Sequence, residues 1–118
     1  MKNIIIILLS VFTFTVVQGQ EKSNSIVETT FKVDGVCNDC KKRIESAAMR
    51  TKGVKLAEWN KTTKDLKVTY NSKKTSEEAI HKAVATQGHE TATTPADSTS
   101  YAKLPGCCKY KDGAKCGH

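Results

Sequence analysis

Five cysteines carry most of the chemistry available to this chain. Cys37 and Cys40 enclose Asn38 and Asp39 in a Cys-x-x-Cys loop, while Cys107, Cys108 and Cys116 lie toward the C-terminal end with His118. A loop of that length turns both sulfurs toward one point. Its second sulfur falls in the first turn of the segment that follows, where the outward N–H groups of a helix favour negative charge. Lys41, Lys42 and Arg43 add positive charge beside it, and Asp39 opposes them. The positive surroundings favour the thiolate, the form that binds soft metals and attacks disulfides. Two thiolates satisfy copper(I), which accepts low coordination numbers, whereas zinc(II) ordinarily takes four ligands. The loop alone therefore favours copper(I), with mercury(II) or zinc(II) as the other ions such sulfurs hold.

The C-terminal stretch is a second donor set. Cys107, Cys108, Cys116 and His118 supply four N/S ligands within twelve residues. Such a set suits zinc(II) or a copper(I)–thiolate cluster. A disulfide from Cys107 or Cys108 to Cys116 is the competing reading in an oxidising compartment. A third arrangement joins the two sets. The stretch from Thr94 to Gly106 spans roughly 40 Å when extended, so the tail can fold back and add a sulfur to Cys37 and Cys40. The expectation is that it does so only with metal bound.

The elements that must position these groups follow from pattern. Val27, Thr29, Phe31 and Val33 alternate with polar residues, which is a half-buried strand ending at Gly35. Asn38 or Asp39 is placed to cap the next helix, with Cys40, Ile44, Ala47 and Ala48 as its apolar stripe and Gly53 as its stop. Lys41, Lys42, Arg43 and Arg50 then face water as a basic surface for an acidic partner, or as plain solvation. Val54 to Trp59 reads as a second strand whose alternation slips between Leu56 and Ala57, implying a bulge. A polar turn from Asn60 to Asp65 leads into a third strand on Leu66, Val68 and Tyr70. Thr75 with Glu78 reads as a capping box for a second helix with Ile80, Ala83 and Val84 inward and Gly88 at its end. His89 to Thr93 is extended in character and reads as a short fourth strand.

The chain of 118 residues is enough for one small domain. It opens on Met1-Lys2-Asn3 and an apolar run from Ile4 to Val17, a signal-peptide pattern with cleavage expected after Gly19; an uncleaved N-terminal anchor is the alternative. Export, periplasmic or secreted, is thus expected, with no stable membrane insertion once the signal is removed. The formal charge of +7 becomes +6 without Lys2. Nucleic acid is not the expected partner: export argues against it, and aromatic residues for base stacking are few. The organisation reads as signal peptide 1–19, leader 20–25, a core domain 26–93, a Pro- and Ser-bearing linker 94–106, and a Cys/His-rich tail 107–118.

The order β-α-β-β-α-β is the ferredoxin-like α+β arrangement, an antiparallel sheet with two helices on one face. With Cys37-Asn38-Asp39-Cys40 between the first strand and first helix, Lys52-Gly53-Val54 after that helix, and Ala83 through Gly88 before the last strand, the chain resembles the heavy-metal-associated domain family. That family includes small copper chaperones, N-terminal domains of copper-transporting P-type ATPases, and the periplasmic mercury-binding protein. The resemblance implies that Cys37 and Cys40 are the metal ligands and that the chain is a copper(I) chaperone or sequestration protein, non-enzymatic, handing metal by thiolate exchange to an ATPase or another thiolate-bearing acceptor. The family usually carries Met two residues before the first Cys, where this chain has Gly35. It also brings the loop after the second helix toward the Cys loop, which places His89 as a third ligand, as a group tuning the thiolates from behind, or as an exposed loop residue.

Two other functions fit a Cys-x-x-Cys. One is a thiol–disulfide oxidoreductase, although Pro95 and Pro105 both fall outside the core domain and no Pro lies between the cysteines. The other is an interaction module with an inert Cys37–Cys40 disulfide. Neither a phosphate-binding glycine loop nor a paired-carboxylate pattern is visible.

Overall fold

The computed structural model describes residues 25–113. The expected signal peptide, most of the leader, Cys116 and His118 lie outside the described residues. Among the described residues, no helix is long and apolar enough to cross a membrane.

Strand β1 (Ile26–Lys32) leads to helix α1 (Asn38–Arg50), strands β2 (Val54–Trp59) and β3 (Asp65–Asn71), and helix α2 (Glu77–Thr86). The three strands form one antiparallel sheet in the order β1-β3-β2. The period-two pattern sets the register: Phe31 pairs with Leu66, Thr29 with Val68 and Val27 with Tyr70, so the apolar side chains share one face. The bulge in β2 lies between Val54 and Leu56, earlier than the alternation implied. The helices cover the apolar face. Ile44, Ala47 and Ala48 of α1 and Ile80 and Val84 of α2 are buried with Val33, Trp59, Leu66 and Val68. This is the α+β, ferredoxin-like arrangement read from the sequence.

Three local expectations change. The fourth strand is reduced to a single bridge, Val33 with Thr91, flanked by Asp34 N–H donating to Glu90 O and Ala92 N–H to Lys32 O. The segment lies along β1 but turns away at once, because Thr91 N–H bonds to Thr94 O instead of continuing the ladder. Helix α2 is capped by Ser76, whose hydroxyl accepts from Ala79 N–H at 3.2 Å; Thr75 belongs to the preceding turn, its N–H bound to Asn71 O. In α2 the side chain after Ile80 also turns inward. His81 is buried, stacked on Phe31 with ring centroids 3.7 Å apart, and its Nδ1 lies 2.6 Å from the Thr91 hydroxyl. A helix face read from aliphatic residues alone misses it, since an imidazole with partners on its ring nitrogens can be buried at little cost.

The stretch read as a linker carries a short helix, α3 (Ser98–Ala102), followed by two single 3₁₀ turns, Gly106–Cys108 and Tyr110–Asp112. It is packed, not extended. Asp97 N–H donates to Ala85 O, and Leu104 and Cys108 join the buried cluster. Gly88 permits this: its φ is +100°, and a Cβ there would meet the Tyr101 backbone nitrogen at 2.9 Å.

Candidate metal centre

The Cys loop is held from three directions. Three successive carbonyls lead into it, and each accepts from a side chain of a different element. Trp59 Nε1–H donates to Val33 O at 3.0 Å, His89 Nδ1–H to Asp34 O at 2.8 Å, and the Lys64 ammonium to Gly35 O. Trp59 ends β2, Lys64 lies in the β2–β3 turn at a φ of +67°, and His89 follows α2. The indole fills the space in front of Gly35: a Cβ at that position would lie 3.0 Å from two Trp59 ring carbons and 3.1 Å from Cys40 Cβ. A side chain at residue 35 and the Trp59 ring cannot share that space. Glycine and tryptophan together supply the packing beneath the loop. Sequence reasoning missed Trp59 and Lys64. The available signal was a lone Trp at the end of a strand, beside the turn that faces the loop.

Within this frame the backbone bends into α1. Cys37 is itself the N-cap, in extended conformation (φ −147°, ψ 174°), and its sulfur accepts from Cys40 N–H at 3.4 Å. Neither Asn38 nor Asp39 takes that role, because both already belong to the helix. The cap therefore directs the Cys37 sulfur over the helix terminus, where Cys40 presents its own. The two sulfurs are 3.2 Å apart, a non-bonded contact.

A third sulfur meets them. Cys108 Sγ lies 3.6 Å from Cys37 Sγ, and the sulfurs of Cys37, Cys40 and Cys108 all lie within 4.8 Å of one another. All three residues are buried. Burial pushes the Cys40 and Cys108 thiols above their ordinary pKa, since the thiolate loses water on entering an apolar site. At Cys40 desolvation outweighs the lowering by backbone hydrogen bonds around the sulfur. A soft cation would displace these protons and supply the missing charge. Cys107 is not one of the three grouped donors but borders them, its thiol donating to Asp39 at 3.5 Å with Cys108 Sγ at 3.9 Å.

His89 is fully buried yet is not among the three grouped donors. Donation to Asp34 O puts the proton on Nδ1. Burial pulls the imidazole pKa down, the carbonyl bond opposes that, and the Arg43 charge reinforces it. Its ring stacks on Tyr110 at 5.4 Å. Its Nδ1 holds the backbone before the Cys loop, while its buried Nε2 has no hydrogen-bond partner among the described residues. Of the basic residues on α1, Lys41 is half-buried and turned inward, bound to Glu45 and to Trp59 O at 2.8 Å each. Lys42, Arg43 and Arg50 are exposed.

The profile of the heavy-metal-associated domain family matches residues 30–90, more than half of the chain. The chain belongs to this family. Among solved structures it is similar to a CopZ metallochaperone, with 27% identity over 56% of this chain and 100% of that one (TM-score 0.54). It is also similar to oxidized MerP from Ralstonia metallidurans CH34, with 26% identity over 57% of this chain and 94% of that one (TM-score 0.55). A third is the N-terminal domain of a potential copper-translocating P-type ATPase from Bacillus subtilis in the Cu(I)-loaded state, with 29% identity over 54% and 81% (TM-score 0.52). No curated protein matches. As a member of this family with a buried sulfur cluster on the β1–α1 loop, the chain is a metal-binding protein.

Proposed function

We propose that the protein is an exported copper(I) chaperone or sequestration protein that exchanges its ion through Cys37 and Cys40. The observation that carries this reading is the convergence of the two sulfurs, 3.2 Å apart, on a loop braced by Trp59, Lys64 and His89. Buried sulfur donors without a carboxylate among them suit a soft ion, copper(I) first, then mercury(II) or zinc(II). The Cu(I)-loaded state of the similar ATPase domain supports the choice of probe. The ion would pass to an acceptor's thiolates, such as those of a metal-transporting ATPase, through shared coordination, with Lys42, Arg43 and Arg50 orienting an acidic surface. Export rests on the charged and apolar pattern of residues 1–19.

Burial argues against the oxidoreductase alternative. An attacking cysteine has a lowered pKa, whereas desolvation raises that of Cys40.

An anaerobic copper(I) titration of the reduced chain, read by native mass spectrometry, tests the reading. The wild type takes up copper and Cys37→Ser/Cys40→Ser does not; equal binding by both, or catalysis of insulin reduction by the wild type, overturns it. Charge reversal at Lys42 and Arg43 is expected to slow transfer to a thiolate-bearing acceptor and leave affinity unchanged. An unaltered rate removes the docking role.

A further inference from the structure

Cys108 reaches the Cys loop from a part of the chain that lies outside the family match. That match ends at residue 90, and the CopZ chain is covered completely by 56% of this one. The segment that delivers the third sulfur is therefore an addition to the shared domain. It is held down by contacts of its own. Leu104 is buried in the common core. The Tyr110 hydroxyl donates to Gly88 O at 2.7 Å and accepts from Glu90 N–H at 2.9 Å, while its ring stacks on His89 and meets Tyr101 edge-on. Lys109 ties the turn back to α3 through Tyr101 O and Ala102 O at 2.7 and 2.8 Å. These anchors involve no sulfur, so the tail has holding contacts besides any metal bond.

Resting on the metal-binding reading above, we propose that Cys108 is a third ligand, making a trigonal three-sulfur site, and that the segment from Leu104 to Tyr110 is a strap that retains the ion against transfer.

The distances favour three sulfurs over two. At a metal–sulfur length of about 2.3 Å, trigonal ligands stand about 4.0 Å apart and collinear ligands about 4.6 Å apart. Cys37 and Cys40 begin 3.2 Å apart, so the trigonal site opens them by about 0.8 Å and the linear one by about 1.4 Å. Cys108, at 3.6 Å from Cys37, needs only about 0.4 Å. Each sulfur that binds gives up its proton to solvent, and no electron changes hands. The N–H groups at the start of the thirteen-residue α1 face the negative charge that results. Transfer to an acceptor then requires Cys108 to leave, which requires Leu104 and Tyr110 to lift. Such a chain holds copper longer than its bare domain would.

X-ray absorption on the copper(I)-loaded full chain counts the sulfurs directly and needs no variant. Three are expected, and two overturn the proposal. Removal of copper by a chromogenic copper(I) chelator gives the second readout. Cys108→Ala is expected to release copper at least about 10-fold faster, with Cys107→Ala close to wild type and folding checked by circular dichroism. Equal release from Cys108→Ala and wild type rejects the strap while leaving the two-cysteine reading standing. Wild-type affinity in Cys37→Ser/Cys40→Ser rejects that reading itself, and the strap with it.

Discussion

Two helix starts in this molecule solve the same problem with different atoms. At α2 the Ser76 hydroxyl accepts from Ala79 N–H at 3.2 Å on an open surface; at α1 the Cys37 sulfur accepts from Cys40 N–H at 3.4 Å in a buried one. Sulfur is a weak acceptor and cysteine is not among the favoured capping residues. The α1 terminus therefore gives up capping strength and gains a sulfur donor that the helix itself aims. The missing rigidity is made up around it, by the three side chains bound to the carbonyls of Val33, Asp34 and Gly35. The α2 terminus has no ligand to aim and relies on its cap.

Exchanging the roles of the two caps gives the largest expected effect. Cys37→Ser puts a better acceptor at the α1 cap, so denaturant unfolding should shift by no more than about 0.5 kcal/mol, while copper(I) affinity falls at least about 100-fold. A comparable loss of stability would mean that the sulfur matters chiefly to the fold. Next comes Gly35→Ala, which presses a methyl onto the Trp59 ring and Cys40 Cβ. It should cost about 1–3 kcal/mol and blue- or red-shift the Trp59 emission. Unchanged emission would show that the ring does not brace the loop. Ser76→Ala is the mirror of the first substitution, with about 1 kcal/mol lost and copper affinity untouched.

The smallest effect separates the two ends by pH. His89, behind the α1 loop, is buried with its pKa lowered, so the unfolded chain takes up a proton that the folded one refuses. The stability from keeping it neutral is present above its ordinary value of 6.5 and is lost as pH falls below that. Denaturant midpoints should drop from pH 7.5 to 5.5 in the wild type and drop less in His89→Asn. Parallel slopes would place the titration elsewhere.

Much of the scaffold was legible in the chain because it depends on local periodicity. The alternation of Val27, Thr29, Phe31 and Val33 sets one sheet face, and the spacing of Cys40, Ile44, Ala47 and Ala48 sets the buried stripe of α1. The Cys-x-x-Cys spacing likewise turned the Cys37 and Cys40 sulfurs toward one point, where they lie 3.2 Å apart. Less legible was the segment His89 to Thr93, whose composition is extended but whose pairing stops after one bridge. Backbone partners, and not propensity, decide where a ladder ends.

The sequence by itself determined the order of elements from β1 to α2, the family and the spacing of the two loop sulfurs, since each is written in neighbours two to four residues apart. Only the tertiary structure decided what surrounds them: that Trp59 fills the space left by Gly35, that Lys64 and His89 hold the loop backbone, and that Cys108, seventy-one residues from Cys37, arrives 3.6 Å from it. Those pairings depend on how packed surfaces close on one another. Polar, glycine-containing sequence such as Pro105-Gly106-Cys107-Cys108 carries no periodicity that announces a burial partner. Its place is set by Leu104 and Tyr110 finding the core and the Gly88–Glu90 backbone, contacts between parts of the chain that share no local pattern.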